Sequence, residues 1–262
     1  MNSRSSRCLV WALLITASGA RAQQSAPPAS DHKPGTSTKN QLSVTAQCKL
    51  PPGFAPPAFD QNSLAALKQK AGSGNAAAQC GLGLLYFNGW GVLQDHVQAV
   101  AWWRKAAEQG SAAAEYFLGL MYASGQGVPQ DYAQAVAWWR KAAEQGYALG
   151  QDGLGDLYSK GQGVPQDYAQ AAIWFRKAAE LGNVGAQVKL GVLYRLGQGV
   201  PQDYAEAYFW LDLAAAGEHD ASLSQKAAKY RDQVASHLAP ADLSREQERA
   251  RKWFEEHQEK PQ

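Results

Sequence analysis

Residues Gly125-Gln126-Gly127-Val128-Pro129-Gln130-Asp131-Tyr132, continuing through Trp138-Trp139-Arg140-Lys141-Ala142-Ala143 to Gly146, read as a turn followed by one helix. Glycines at 125 and 127 suit positive φ in a tight turn. Pro129 sits just before the helix start, where a missing N–H does no harm. Asp131 is followed three residues later by Gln134, a capping-box spacing repeated by Asp203 and Glu206. Arg140 and Lys141 fall late in the segment, as the helix dipole favours, and Gly146 stops it.

Upstream, Ala112 to Ser124 carries Ala114, Leu118, Met121 and Tyr122 at helical spacing. Gly119 lies inside that helix, where Gly costs about 1 kcal/mol relative to Ala. Such a residue implies close approach of a neighbouring helix. The two helices with their short links make one hairpin.

The hairpin recurs. Gly74, Gly110, Gly146 and Gly182 stand 36 residues apart, and in the same register come Gly83, Gly119, Gly155 and Gly191. Tyr86, Tyr122, Tyr158 and Tyr194 follow, then Asp95, Asp131, Asp167 and Asp203, then Trp102, Trp138, Trp174 and Trp210. One hairpin cannot bury its own apolar face, but stacked neighbours can. The expected fold is all-α: a right-handed solenoid of about four 36-residue hairpins (74–109, 110–145, 146–181, 182–217) with capping helices at both ends. The repeated Trp residues are expected in the packing between helices, and the Arg/Lys pairs after them as solvated helix ends.

The pattern divides the chain into four parts. Residues 1–22 read as a secretory signal peptide: Arg4 and Arg7, an apolar run from Cys8 to Ala17, and Ala20-Arg21-Ala22 as the cleavage site. The apolar run is too short to span a bilayer, so no integral membrane segment is expected after cleavage. Residues 23–57 form a Pro-rich linker, 58–217 the solenoid and 218–262 the C-terminal capping helices. In that last part Ala221 to Leu238 reads as one helix broken by Pro240, with Ser244 to Gln247 opening another. Without Arg4, Arg7 and Arg21 the 25 basic residues fall to 22 against 23 acidic, a near-neutral export product with no electrostatic footprint for nucleic acid. The export route permits disulfides. Cys48 and Cys80 can form one or stay as two thiols.

The strings Leu-Gly-x-x-Tyr, Gly-Gln-Gly-Val-Pro-Gln-Asp-Tyr and Trp-Trp-Arg-Lys-Ala-Ala-Glu-Gln-Gly resemble Sel1-like repeats, relatives of tetratricopeptide repeats, over about 58–217. The resemblance extends to the C-terminal helices, 227–256. It implies an adaptor of the bacterial envelope whose first helices line a concave groove. A cysteine-rich branch of the family is described as penicillin-binding or β-lactamase-like. Its repeats each carry a Cys pair, whereas these four carry one Cys in all, so that activity is not carried across.

No His-Glu-x-x-His, Gly-x-Ser-x-Gly or Walker loop is present. The Ser30–Lys33 pair lies in the linker, His219-Asp220 has no partner at ligand spacing, and no enzyme activity, cofactor or metal is expected. Function is expected where the repeats differ. Along the first helices Cys80 becomes Tyr116, Asp152 and Val188, while Leu84 becomes Leu120, Asp156 and Val192. Phe87 becomes Ala123, Ser159 and Arg195, and Gly81 becomes Phe117, Gly153 and Lys189. The expected groove for a protein or peptide segment is aromatic and apolar at one end (Phe87, Tyr116, Phe117, Leu120), acidic in the middle (Asp152, Asp156) and basic at the other (Lys189, Arg195). Envelope glycan or peptidoglycan is the alternative ligand, taken by exposed Trp, and a β-lactamase-like hydrolase is the lesser alternative.

Overall fold

A computed structural model describes residues 61–217 and 221–258, in which eleven helices and no strand occur. The signal segment, the linker, Cys48, the Ser30–Lys33 pair and His219-Asp220 lie outside the described residues. Helix α1 (Gln61–Gly72) precedes four hairpins: α2 (Ala76–Asn88) with α3 (His96–Ala107), α4 (Ala112–Ser124) with α5 (Tyr132–Glu144), α6 (Ala148–Lys160) with α7 (Tyr168–Glu180), and α8 (Val184–Leu196) with α9 (Tyr204–Ala216). Helices α10 (Ala221–Ala235) and α11 (Pro240–Gln258) close the chain, both lying against α9. Each helix of a hairpin packs on its partner and on the adjoining hairpin, so the stack is an α-solenoid.

Each hairpin closes around a glycine. A Cβ built on Gly119 would lie 2.3 Å from the Trp139 ring, and one on Gly83 2.5 Å from Trp103. The same approach brings Gly155 to Phe175 and Gly191 to Leu211 at 2.6 and 2.7 Å. The two indoles also donate to carbonyls of the facing helix, Trp103 to Cys80 at 3.2 Å and Trp139 to Tyr116 at 2.9 Å. Burying an aromatic side chain of ~200 Å² at ~25 cal/mol per Å² contributes about 5 kcal/mol as an upper figure. That exceeds the ~1 kcal/mol propensity cost of the helical glycine, so the close approach wins.

The repeated Trp column is not the one deepest in the core. Trp103, Trp139, Phe175 and Leu211, one residue later, are buried, while Trp102, Trp138 and Trp174 are half-buried at the edge. Trp210 is buried as well, on the helix that α11 overlies. The edge indoles carry lysines: Lys105, Lys141 and Lys177 Nζ lie 4.1–4.3 Å from the ring centroids of Trp102, Trp138 and Trp174. Arg104 and Arg140 donate to the hydroxyls of Tyr122 and Tyr158, one hairpin further on, at 2.9 and 3.0 Å, and Arg176 donates to Tyr194. Arg104, Lys105, Arg140 and Lys141 are exposed, as expected of solvated helix ends, and the arginines in addition link successive hairpins.

The turns are held on both sides. Gly125 caps α4 at φ 72° with its N–H on the Met121 carbonyl, and Gln130 Nε2 donates to the Ala123 carbonyl at 2.8 Å. Gly127, at φ 70°, sits so close to the preceding hairpin that a Cβ would lie 2.5 Å from the His96 carbonyl oxygen. Asp131 accepts from the Gln134 N–H, as its spacing predicts. The reciprocal half of the capping box is replaced: the Asp131 N–H donates to the Tyr122 carbonyl at 2.9 Å, a bond repeated at Asp95, Asp167 and Asp203.

Pro240 does not break a helix; it begins one. A proline at the first helical position loses an N–H that has no intrahelical acceptor in any case, and the Leu243 N–H bonds to the Ala239 carbonyl at 3.0 Å. Helix α10 correspondingly stops at Ala235, with a turn through His237 and Leu238.

Gly119→Ala is expected to destabilise by about 1–3 kcal/mol through overpacking against Trp139, despite the better helix propensity of Ala. Gly110→Ala, at φ 78° with open space around the added Cβ, carries only backbone strain of about 1 kcal/mol. Urea unfolding followed by circular dichroism ranks the two, and equal midpoints would contradict the close-packing account. Trp103→Ala is expected to cost about 3–5 kcal/mol on the same assay.

Candidate interaction surface

The first helices of the hairpins bear the positions that differ most, and most of those side chains are covered. Phe87, Tyr116, Phe117 and Leu120 are each 8% exposed or less. Phe117 stacks on Trp103 at 4.7 Å between centroids and 13° between planes, and Tyr116 stacks on Trp139 at 6.3 Å and 20°. The expected row of open aromatic anchors is thus a floor of core residues. The reason is geometric: a first helix touches its own partner and the second helix of the hairpin before it, so both its sides face protein. Helix α4 accordingly buries eight consecutive residues from Ala114 to Met121.

The charged part of the row is paired within the chain. Lys189 Nζ lies 2.7 Å from Asp152 Oδ1 and 2.9 Å from Asp156 Oδ1, and 5.2 Å from the Phe175 ring centroid. Burial works against the Lys189 charge, but Asp152 and Asp156 outweigh it and hold its pKa above the ordinary lysine value. Lys160 approaches Asp156 at 3.9 Å. At the far end Arg195 donates to Gln233 at 3.0 Å and lies 4.8 Å over the Tyr230 ring, both on α10. The charges expected to orient a ligand are engaged with one another and with α10.

What reaches water on the first-helix face is a half-buried row: Leu84, Ala123, Asp156, Ser159, Val192 and Arg195. It changes from apolar through acidic to basic along the stack. On the other face, α7, α9 and α11 enclose a cleft of about 640 Å³ lined by Arg176, Phe209, Trp210, Arg249, Lys252 and Trp253 among others. Arg249 lies 3.8 Å over Phe209 and bonds to Glu206 and Glu246, so its charge is balanced within the chain.

A polar column passed unremarked in the sequence. Gln79, Glu115, Gln151 and Gln187 are buried at the same register. Gln79, Gln151 and Gln187 donate to the carbonyls of Ala71, Ala143 and Ala179, at the end of the preceding helix. They add a second donor to helix-end carbonyls that also accept from the Gly74, Gly146 and Gly182 N–H groups. Glu115 cannot donate. It accepts from Gln145 at 2.6 Å instead, and burial pushes its pKa up. The signal was available, since Gln79, Gln151 and Gln187 share one position of the 36-residue repeat, with Glu115 in the second unit.

Cys80 is a free, buried thiol among the described residues, and burial pushes its pKa up to about 12. No group of three or more His, Cys, Asp or Glu that could hold a metal occurs among the described residues, and no helix there is long and apolar enough to cross a membrane.

The Sel1 repeat family model matches residues 76–111, 112–147, 148–183, 184–219 and 237–256. The last stretch lies in what reads from sequence as capping helices. A protective antigen present in uropathogenic Escherichia coli strains and displaying an SLR fold is 36% identical, with TM-score 0.58, over 65% of this chain and 41% of the antigen. The chain thus spans less than half of that relative. A Sel1 repeat protein from Oxalobacter formigenes is 31% identical, with TM-score 0.62, over 73% of this chain and 78% of the other. No curated protein matches the sequence.

Alkylation of Cys80, followed by mass spectrometry of its peptide so that Cys48 does not interfere, is expected to stay slow from pH 7 to pH 9 in the native protein. It should become fast in urea. Rapid native labelling at pH 8 would contradict the buried, protonated thiol.

Proposed function

This chain belongs to the Sel1 repeat family, and from that premise we propose that it is an exported envelope adaptor that holds a segment of another protein along its first-helix face. The observation that carries the reading is the division of labour among columns. Repeated positions such as Gly119 close the hairpins, while the half-open row carries Leu84, then Ala123, then Asp156 and Ser159, then Val192 and Arg195 in successive hairpins. Stacking does not require that variation, and recognition of a segment does. The aromatic side chains beneath the row give it a rigid floor, and preorganised surfaces lose less entropy on binding.

Export rests on the signal-like residues 1–22. The adaptor reading agrees with a family that typically provides scaffolds. Binding along this face involves Ala123, Asp156 and Ser159 directly. Phe87, Tyr116, Phe117, Leu120, Asp152 and Lys189 act from beneath by fixing its shape.

Photo-crosslinking residues placed at Ala123 or Ser159 in the full chain, in cells that make it, are expected to yield a discrete protein adduct, weakened by Asp156→Lys. The same residue at Ala137, exposed on a second helix, is expected to yield none. Adducts from Ala137 alone, or only carbohydrate adducts from the first-helix positions, would overturn the proposal.

A further inference from the structure

We propose that the recess between α8, α9 and the end of α10 is a binding site for a carboxylate, held by Arg195. The recess has a volume of about 440 Å³ and is ringed by Arg195, Gln202, Tyr204, Gln233 and His237. Leu196 and Val234 supply its apolar part, and no acidic side chain lines it. The state of Arg195 carries the inference. Its Nη1 donates to Gln233 Oε1 at 3.0 Å, and its guanidinium lies 4.8 Å over the Tyr230 ring. Both partners are neutral, whereas Arg231, Arg245, Arg249 and Arg251 each meet a carboxylate. Nε of Arg195 is buried and has no acceptor among the described residues. A buried donor in that state calls for a partner from outside the chain. Nε and Nη2 form an edge of the guanidinium fork, the kind of edge that grips a planar carboxylate by two parallel bonds.

The groups around Arg195 are placed to donate. Gln202 Nε2 donates to the Arg195 carbonyl at 2.8 Å and to the Tyr204 hydroxyl at 3.1 Å. The Tyr204 oxygen is thereby an acceptor, and its own proton is left to give. The Gln233 oxygen is taken by Arg195, so that amide offers its NH2 group. The His237 ring stacks on Tyr204 at 4.4 Å between centroids and 9° between planes, which fixes the phenol. One cation among neutral donors matches a monoanion, and a doubly charged phosphate would keep a charge without a partner. The Gln202–Tyr204 bond recurs at Gln130–Tyr132 and Gln166–Tyr168. The position of Arg195 is Phe87, Ala123 and Ser159 in the earlier hairpins, and Gln233 comes from α10. The site is therefore particular to the place where the half-open row ends against α10. This deepens the proposed binding of a segment along that row, and rests on it only for the source of the carboxylate, a chain end or an acidic side chain.

Three probes titrated into the full chain, labelled with nitrogen-15, test the site by magnetic resonance. They are N-acetylalanylalanine, its C-terminal amide, and N-acetylaspartate with its α-carboxyl amidated. The two acids are expected to shift the Arg195 Nε–H signal and the backbone amides of Gln233 and His237 to saturation. The neutral amide should bind about tenfold or more weakly, because the charge-assisted bonds are lost. The tighter of the two acids assigns the carboxylate to a chain end or to a side chain. Arg195→Gln should abolish the backbone shifts with unchanged circular dichroism, and Tyr204→Phe should weaken binding several-fold. Equal response to all three probes, response to none, or shifts that survive Arg195→Gln would overturn the inference. If Arg195→Gln does not fold, the comparison of acid with amide in the wild type decides alone. Failure of these small probes leaves the crosslinks at Ala123 and Ser159 as they are, and failure of those crosslinks leaves the recess standing as a carboxylate site.

Discussion

The contact between a helical glycine and a ring or branched side chain of the partner helix sets everything else in this molecule. At Gly83, Gly119, Gly155 and Gly191 the backbone of a first helix lies against Trp103, Trp139, Phe175 or Leu211 with no room for a Cβ. That spacing brings the two helices of a hairpin close enough for the turn glycines, the aspartate caps and the glutamines after the turn to find their partners. It also leaves the first helix enclosed, so its remaining sides must pack on the neighbouring hairpin. A solenoid follows from that enclosure rather than from any property of a single helix.

Once hairpins stack, the joints between them become the variable part of the structure. The joint between the first two hairpins is aromatic, with Phe117 stacked on Trp103. The joint between the third and fourth hairpins is ionic, with Lys189 between two carboxylates. Removing one partner of such a buried group leaves an uncompensated charge, which is why ionic joints specify geometry more than they add stability. Gln79, Gln151 and Gln187 tie first helices to the carbonyl ends of the helices before them, whereas Glu115, in the same column, accepts from Gln145 instead. The half-open row left over is the face proposed for binding.

Much of the fold was legible because its rules are local. Turn glycines at positive φ, aspartate caps, helix lengths and the 36-residue period all depend on neighbours within a few residues, and the described structure agrees with them. Pro240 was misread because a proline signals a helix boundary without saying on which side the helix lies. The candidate site was far less legible. A column that varies between repeats can be free surface or a joint repacked differently each time, and Tyr116, Phe117 and Leu120 proved to be joint. The repeated Trp column misled in the opposite direction. Trp102, Trp138 and Trp174 keep their identity at the half-exposed edge, whereas the buried position beside them accepts Trp, Phe or Leu because a glycine opposite asks only for an apolar group.

The residue order was therefore enough to set the helices, their turns and the length of the repeat, since each arises from hydrogen bonds and φ preferences close along the chain. Which side chains meet across hairpins could not be read the same way. Lys189 finds Asp152 some 37 positions away, and Arg249 finds Glu206 at 43, because stacking angle and helix rotation choose those neighbours. Burial and charge pairing depend on that choice, so the surface open to a partner emerged only when the hairpins were assembled.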